Sequence, residues 1–313
     1  MLNKIISRQA LHANHFAPTT FRKVCVAFFV LFLMTNCSKQ EQQVQPRLQK
    51  SDFVSLKLQA EIKKQSKVIF AKLKNSEKTV FSDSLLNDPN ALYQTLLVDA
   101  KQFDSTAYNI FMNIPESSMF SQQNLYASFS TTLSTPTVNS LSSYFEKLDI
   151  EIDLLTNAFT ENTVDSIAFQ AISAKINEVT SIYEQDVINS PNLDNQEKSS
   201  ILTATTLVLE NRFDIVEIAD KMATNNIQAK KGKVWRAIWC SVVSIVFNVV
   251  TFGANGYAVG ALTGYFFSLS RASAVGTIIG ASFGLVRAIV GIARNECWGL
   301  RTSNNNSGWR SCW

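Results

Sequence analysis

Apolar residues recur at three- and four-residue steps along most of the first 229 positions. Val54, Leu58, Ile62, Ile69 and Leu73 make one stripe, and Leu92, Leu96, Phe103, Ala107 and Ile110 a second. Leu141, Phe145, Leu148, Ile152, Leu155 and Phe159 make a third, and Val164, Ala168, Ile172 and Val179 a fourth. Ile201, Ala204, Val208, Ile215, Ala219 and Met222 make a fifth. Polar residues fill the gaps, so each stripe predicts an amphipathic helix with one face on a core. Breakers separate the stripes: "NDPN" at 87–90, "NIPESS" at 113–118, "STPT" at 134–137 and "NSPNLDN" at 189–195. "TVNS" before Leu141 and "LDNQEKSS" before Ile201 supply polar caps. The pattern predicts an all-α protein with five or six antiparallel helices bundled over 50–229.

Near residue 230 the pattern changes. Residues 237–252, "AIWCSVVSIVFNVVTF", are an almost unbroken apolar run, and 256–269 and 272–293 are two more. With its tryptophans the first run is about 18 residues, roughly 27 Å as a helix and close to the thickness of a hydrocarbon core. One helix through 256–293 would be about 57 Å long, so a break is expected at "SLSRAS", near Ser270. Lys230, Lys231, Lys233 and Arg236 cluster beside Trp235 and Trp239, as cations and aromatics do at a membrane interface. Charge changes at the same point. Residues 38–229 hold 16 Lys/Arg and 24 Asp/Glu, and residues 230–313 hold nine Lys/Arg and a single acid, Glu296. The basic residues of the tail are scattered among apolar runs, which argues against a nucleic-acid face. The expected division is a segment 1–37, a polar tether 38–49, an acidic helical body 50–229, apolar helices 230–295 and a polar Cys/Trp tail 296–313.

All eleven glycines lie at or after Gly232, and six fall in two sets spaced by four: Gly256, Gly260, Gly264 and Gly276, Gly280, Gly284. Residues four apart share a helix face, so each set is a groove without side chains. A chain folded at Ser270 would oppose Gly264 to Gly276, Gly260 to Gly280 and Gly256 to Gly284. On a water-facing helix each glycine would cost up to about 1 kcal/mol relative to Ala, so the sets need a packing reason. The segment, bordered by Trp239-Cys240 and Cys297-Trp298, resembles the glycine zippers of small outer-membrane lipoproteins with a two-helix membrane domain. It also resembles bacteriocin-like peptides that insert into target membranes. The resemblance implies close helix packing within a membrane.

At the other end, "VCVAFFVLFLMTN" (24–36) follows Arg22 and Lys23. It is too short to span comfortably and suits the apolar region of an export signal. Met34, Thr35, Asn36 and Cys37 resemble the lipobox of bacterial lipoproteins, with Asn36 in place of the usual small residue. The resemblance implies export, cleavage before Cys37 and lipidation of Cys37, with "SKQEQQVQP" as the tether.

The chemistry that remains is sparse. His12 and His15 are the only histidines, and both precede Cys37. A processed chain would lack Ser-His-Asp and Cys-His catalysis and His-ligated zinc. The acids of "EKLDIEID", Glu146–Asp153, read as a solvated helix face. Neither a phosphate-binding glycine loop nor a calcium loop occurs, since the body has no glycine and "DNQEK" lacks the ligand spacing. Beyond an export signal disulfides are permitted. A Cys297–Cys312 bridge would contribute about 3 kcal/mol by loop-closure entropy and leave Cys240 free. No catalytic residue, cofactor or metal site is expected. The sequence predicts a non-enzymatic, exported, membrane-anchored lipoprotein of the bacterial cell envelope, with a helical interaction domain and a membrane-associated glycine-zipper tail. Membrane lipid is the expected partner, with a protein partner or a second copy engaged through the zipper, and no nucleic acid. Two alternatives stand beside it. One is a bacteriocin-like pore-forming precursor whose body carries or protects the tail, with a cleavage site at the 230–233 lysines. The other is an anchored enzyme that uses carboxylates.

Overall fold

The computed structural model describes residues 48–75, 89–115, 133–159, 166–225, 234–267, 270–294, 296–300 and 307–311. The segment 1–37 with His12, His15 and Cys37, most of 38–49, the 230–233 lysines and Cys312 lie outside the described residues.

A 3-10 turn, Lys50–Asp52, leads into the helices described. They are α1 (Leu56–Asn75), α2 (Pro89–Phe103), α3 (Ser105–Met112), α4 (Thr135–Asn157), α5 (Ser166–Asn189), α6 (Asn195–Glu210), α7 (Arg212–Asn225), α8 (Val234–Phe267) and α9 (Ser270–Ala293). The all-α expectation holds for the body and for the apolar segments. The polar end adds an antiparallel pair, β1 (Glu296–Leu300) and β2 (Ser307–Ser311), with Trp298 opposite Trp309 in the ladder.

Local chemistry sets the helix ends more finely than the stripes do. The second stripe is two helices: Asp104 leaves the helical conformation and its carboxylate accepts from the Ala107 N–H at 2.9 Å, starting α3 anew. The fifth stripe is also two helices. They part at Asn211, whose Nδ2 donates to the Leu207 carbonyl at 2.7 Å and to Ser66 Oγ at 2.8 Å. "STPT" is a helix start, not a breaker. Ser134 caps α4, and Pro136 falls in the first turn, where a missing N–H costs nothing. Asp194 and Glu197 cap α6 reciprocally, as "LDNQEKSS" led one to expect.

The compositional change at 230 does not separate two bodies: Leu48–Trp313 is one compact unit. Its centre is the antiparallel pair α8–α9. α4, α6 and α7 cover α8, and α1, α2 and α3 cover α9. α5 lies further out, on α4, α6 and α7. The start of the described chain is pinned to this outer layer: Lys50 Nζ meets Glu184 Oε1 at 2.5 Å, and the same oxygen accepts from Thr205 Oγ1 at 2.6 Å. The acidic body is therefore a sheath around the apolar hairpin. An amphipathic helix has one face to bury, and the largely apolar hairpin is what these faces cover.

Candidate membrane-active hairpin

Two stretches of the hairpin, Val234–Leu262 and Arg271–Ala293, are long and apolar enough to cross a membrane. As helices of 29 and 23 residues they measure about 44 and 34 Å, against a hydrocarbon core of about 30 Å. Yet 94% of the most apolar window of each is buried inside the fold. Val242, Val243, Ile245, Val246, Val249 and Val250 are all at most 2% exposed, so no side of α8 is left for solvent there.

The arms meet through glycine. A Cβ placed on Gly256 would lie 1.9 Å from the Gly276 carbonyl oxygen, and one on Gly276 would lie 2.1 Å from the Gly256 oxygen. Gly260 faces the Ala272 oxygen at 2.4 Å, Gly280 the Phe252 oxygen at 2.0 Å and Gly284 the Asn248 oxygen at 2.2 Å. The backbones are so close that only hydrogen fits between them, and the glycine Cα–H groups point at facing carbonyls. The register differs from the expected one. Gly276 meets Gly256 in place of Gly264, and Gly280 and Gly284 meet Phe252 and Asn248 in place of Gly260 and Gly256. Each glycine approaches a facing backbone carbonyl, and at Gly256–Gly276 alone among these contacts is that carbonyl a glycine's. One glycine per contact therefore suffices, and the arms slide two turns from the symmetric pairing. The groove is shared, since the Phe111 ring of α3 also reaches within 2.8 Å of a Gly276 Cβ. The surroundings of Gly264 lie outside the described residues.

Four polar side chains of the hairpin are bonded within their own helix. Asn248 and Asn255 donate to the Ser244 and Thr251 carbonyls at 2.8 and 3.1 Å. Thr277 and Ser282 donate to the Ser273 and Ile278 carbonyls at 2.9 and 2.8 Å. Such bonds to the carbonyl one turn back would move with the helix into any surroundings. Ties to the sheath include Ser200 Oγ to the Ala254 carbonyl at 3.3 Å and Trp239 Nε1 to the Asp149 carbonyl at 3.2 Å. At the tip, Arg271 bridges Glu61 of α1 at 3.0 Å and Asp104 at 3.2 Å.

The aromatic and cationic residues read as interface anchors are divided. Trp235 and Trp239 are buried against the sheath, Trp235 with its ring 4.7 Å from that of Phe159, while Arg236 is exposed. Arg287, the charge within the second arm, stacks over the Phe252 ring at 5.2 Å. It thus faces the other arm inside the fold.

On α4, Asp149 is buried while Glu146 is exposed, so the acids of 146–153 do not share one surroundings. Among the described residues no three His, Cys, Asp or Glu side chains come together as metal ligands. An open cleft of about 590 Å³ is lined by Asn139, Ser140, Tyr183, Asp186 and Asn192. Ser140 and Tyr183 share a hydrogen bond of 3.0 Å there, and burial raises the Tyr183 phenol above its ordinary value. At neutral pH the pair is two neutral hydroxyls, and Tyr183 is no base for Ser140. Cys240 is buried, Cys297 lies in β1, and its expected partner Cys312 lies outside the described residues. Compared with protein families, curated proteins and solved structures, the chain matches no family model, no curated protein and no solved structure.

Proposed function

We propose that this is an exported, non-enzymatic envelope protein, lipid-anchored through Cys37, whose helical body shelters a membrane-inserting hairpin and releases it to a bilayer. One observation carries the reading: two membrane-length apolar helices form the centre of the fold and are covered by shorter amphipathic ones. A hairpin built only as a membrane anchor needs no such cover. Enclosure therefore favours the bacteriocin-like alternative, in which the body is a carrier, over a tail that stands apart from an interaction domain.

The energetics suit an exchange of surroundings. Lipid tails are as apolar as a protein core, so the valines and isoleucines of α8 and α9 are equally dry in either. The glycine seam and the back-bonded Asn, Ser and Thr residues belong to the hairpin and travel with it. What must be broken is a set of polar ties, each worth about 1 kcal/mol, and the contact that keeps the apolar faces of the sheath dry.

A photoactivatable phospholipid tests the reading. Vesicles containing it are mixed with the full chain, irradiated, and the labelled peptides identified by mass spectrometry. Label in peptides from 234–294, distinct from the N-terminal segment, is the expected result. Label confined to the N-terminal segment would leave the hairpin as the core of a fold that stays closed.

A further inference from the structure

α8 carries a second pattern, one that apolar packing does not use. Ser241, Ser244, Asn248, Thr251 and Asn255 follow one another at alternating steps of three and four residues. At about 100° per residue they fall within an arc of roughly 80°, a continuous polar stripe on a helix otherwise apolar. The stripe is centred on Asn248, which is also the midpoint of the membrane-length stretch Val234–Leu262. All five residues are at most 4% exposed. Three of them hold buried oxygens with no hydrogen-bond partner among the described residues: Ser241 Oγ, Thr251 Oγ1 and Asn255 Oδ1.

A buried oxygen left unpaired costs about 1–3 kcal/mol. Ser173 Oγ and Thr203 Oγ1 of the body are unpaired too, but among the described helices α8 alone holds three, and they lie in one stripe. In a bilayer the same stripe would lie at mid-depth, where lipid offers no partner at all. The seam with α9 does not remove the problem. It runs through Asn248, Phe252, Gly256 and Gly260, a four-residue row that Ser244 continues, and leaves Ser241, Thr251 and Asn255 beside it. The unpaired oxygens then need water, and water at mid-bilayer needs a ring of such stripes.

Resting on the insertion reading above, we infer that inserted hairpins from several copies of this chain assemble with Ser241, Ser244, Asn248, Thr251 and Asn255 facing a shared water-filled path for small ions. The glycine seam faces the hairpin's own second arm, the apolar residues of α8 face lipid or neighbouring arms, and the stripe faces the lumen. Its hydroxyl and amide lining is uncharged, and such a lining passes small ions without binding them tightly.

The test uses the full chain with Cys240→Ala and measures ion flux across vesicles together with the phospholipid label. Cysteines are placed one at a time on the stripe (Ser241→Cys, Thr251→Cys) and off it (Val242→Cys, Val249→Cys), and a charged, water-soluble thiol reagent is added. Stripe cysteines should react, with flux falling at least about five-fold, while off-stripe cysteines should not. Thr251→Val keeps the shape of the side chain and removes an unpaired hydroxyl. It should leave the fold and the hairpin label intact and lower the flux. Asn255→Leu serves as a second such variant. A labelled hairpin that passes no ions, or stripe cysteines as protected as off-stripe ones, would overturn the inference and leave insertion standing. A hairpin that takes no label in any vesicle would overturn insertion, and the lumen with it.

Discussion

Gly256 and Gly253 are three residues apart on α8, and the structure predicts outcomes of different size when each is changed to Ala. At Gly256 the new methyl would sit 1.9 Å from the Gly276 oxygen and 2.6 Å from the Gly276 carbonyl carbon, well below the 3.0 Å floor of real Cβ contacts. Both are backbone atoms of the facing helix, which no rotamer change can move. The arms would have to part by more than an ångström, against neighbouring contacts at Gly260 and Gly280 that hold them together. Overpacking of this kind costs about 1–3 kcal/mol, and the site sits at the severe end; Ala returns about 1 kcal/mol of helix propensity. The net expectation is a loss of about 2 kcal/mol, or about 3 °C in Tm for a chain of this size. At Gly253 the nearest atoms are Ala204 Cβ at 3.3 Å, Leu207 Cδ1 at 3.6 Å and Thr277 Cγ2 at 3.6 Å, all side-chain atoms. There the overlap is only a few tenths of an ångström against the Ala204 Cβ, and the propensity gain offsets it, so Gly253→Ala should stay within about 1 kcal/mol of the unchanged protein. Urea unfolding followed by far-ultraviolet circular dichroism gives both values. If Gly256→Ala were as stable as Gly253→Ala, the arms would not be packed backbone to backbone, and the steric account of the glycine spacing would be wrong.

Other consequences are simpler to check. Burial and nearby Glu217 raise the pKa of Asp220, and its Oδ1 lacks a partner among the described residues. A carboxylate whose pKa is raised on folding destabilises the fold above the ordinary carboxylate range and not below it. Asp220→Asn should therefore stabilise the protein at neutral pH, by less than about 1 kcal/mol, and the gain should vanish as pH falls towards about 4, as unfolding curves at several pH values will tell. The Arg271 bridge to Glu61 and Asp104 is partly exposed, so Glu61→Gln with Asp104→Asn should cost about 1 kcal/mol at low salt and less at high salt; Asn keeps the cap of α3. Cys37→Ala should abolish palmitate labelling and leave an unprocessed chain; unchanged labelling would remove the lipobox reading.

Much of the helical architecture is legible from the apolar stripes, because burying one face is what makes a surface helix. Their finer divisions are not, because a single side chain decides each. Asp104 and Asn211 break helices by bonding their own backbone neighbourhood while the apolar period continues past them. The placement of the tail is a different matter. Hydropathy measures removal from water, and a sheath removes α8 from water as fully as lipid does. Trp235 and Trp239 show the same ambiguity, since a ring suited to an interface also fills a core. One signal did bear on the enclosure. Every residue from Lys198 to Val208 is buried, so α6 is covered all round despite its serines and threonines. A Ser/Thr-rich helix with small side chains and no charged face from 199 to 209 fits between an outer helix and an apolar centre. The glycine register stayed out of reach because equal spacing admits several alignments, and only the three-dimensional contacts choose among them.

The central claim is that the hairpin leaves its sheath to enter a bilayer, and a removable lock tests it most directly. A Cβ on Gly253 lies 3.3 Å from the Ala204 Cβ, close to the roughly 3.5–4.5 Å span of a disulfide. Ala204→Cys with Gly253→Cys, in a chain whose five native cysteines are replaced, would tie α6 to α8 when oxidised. Hairpin labelling by the photoactivatable phospholipid should be absent from the oxidised protein and return on reduction. Equal labelling before and after reduction, with the disulfide shown to be formed, would contradict the release of the hairpin from its sheath.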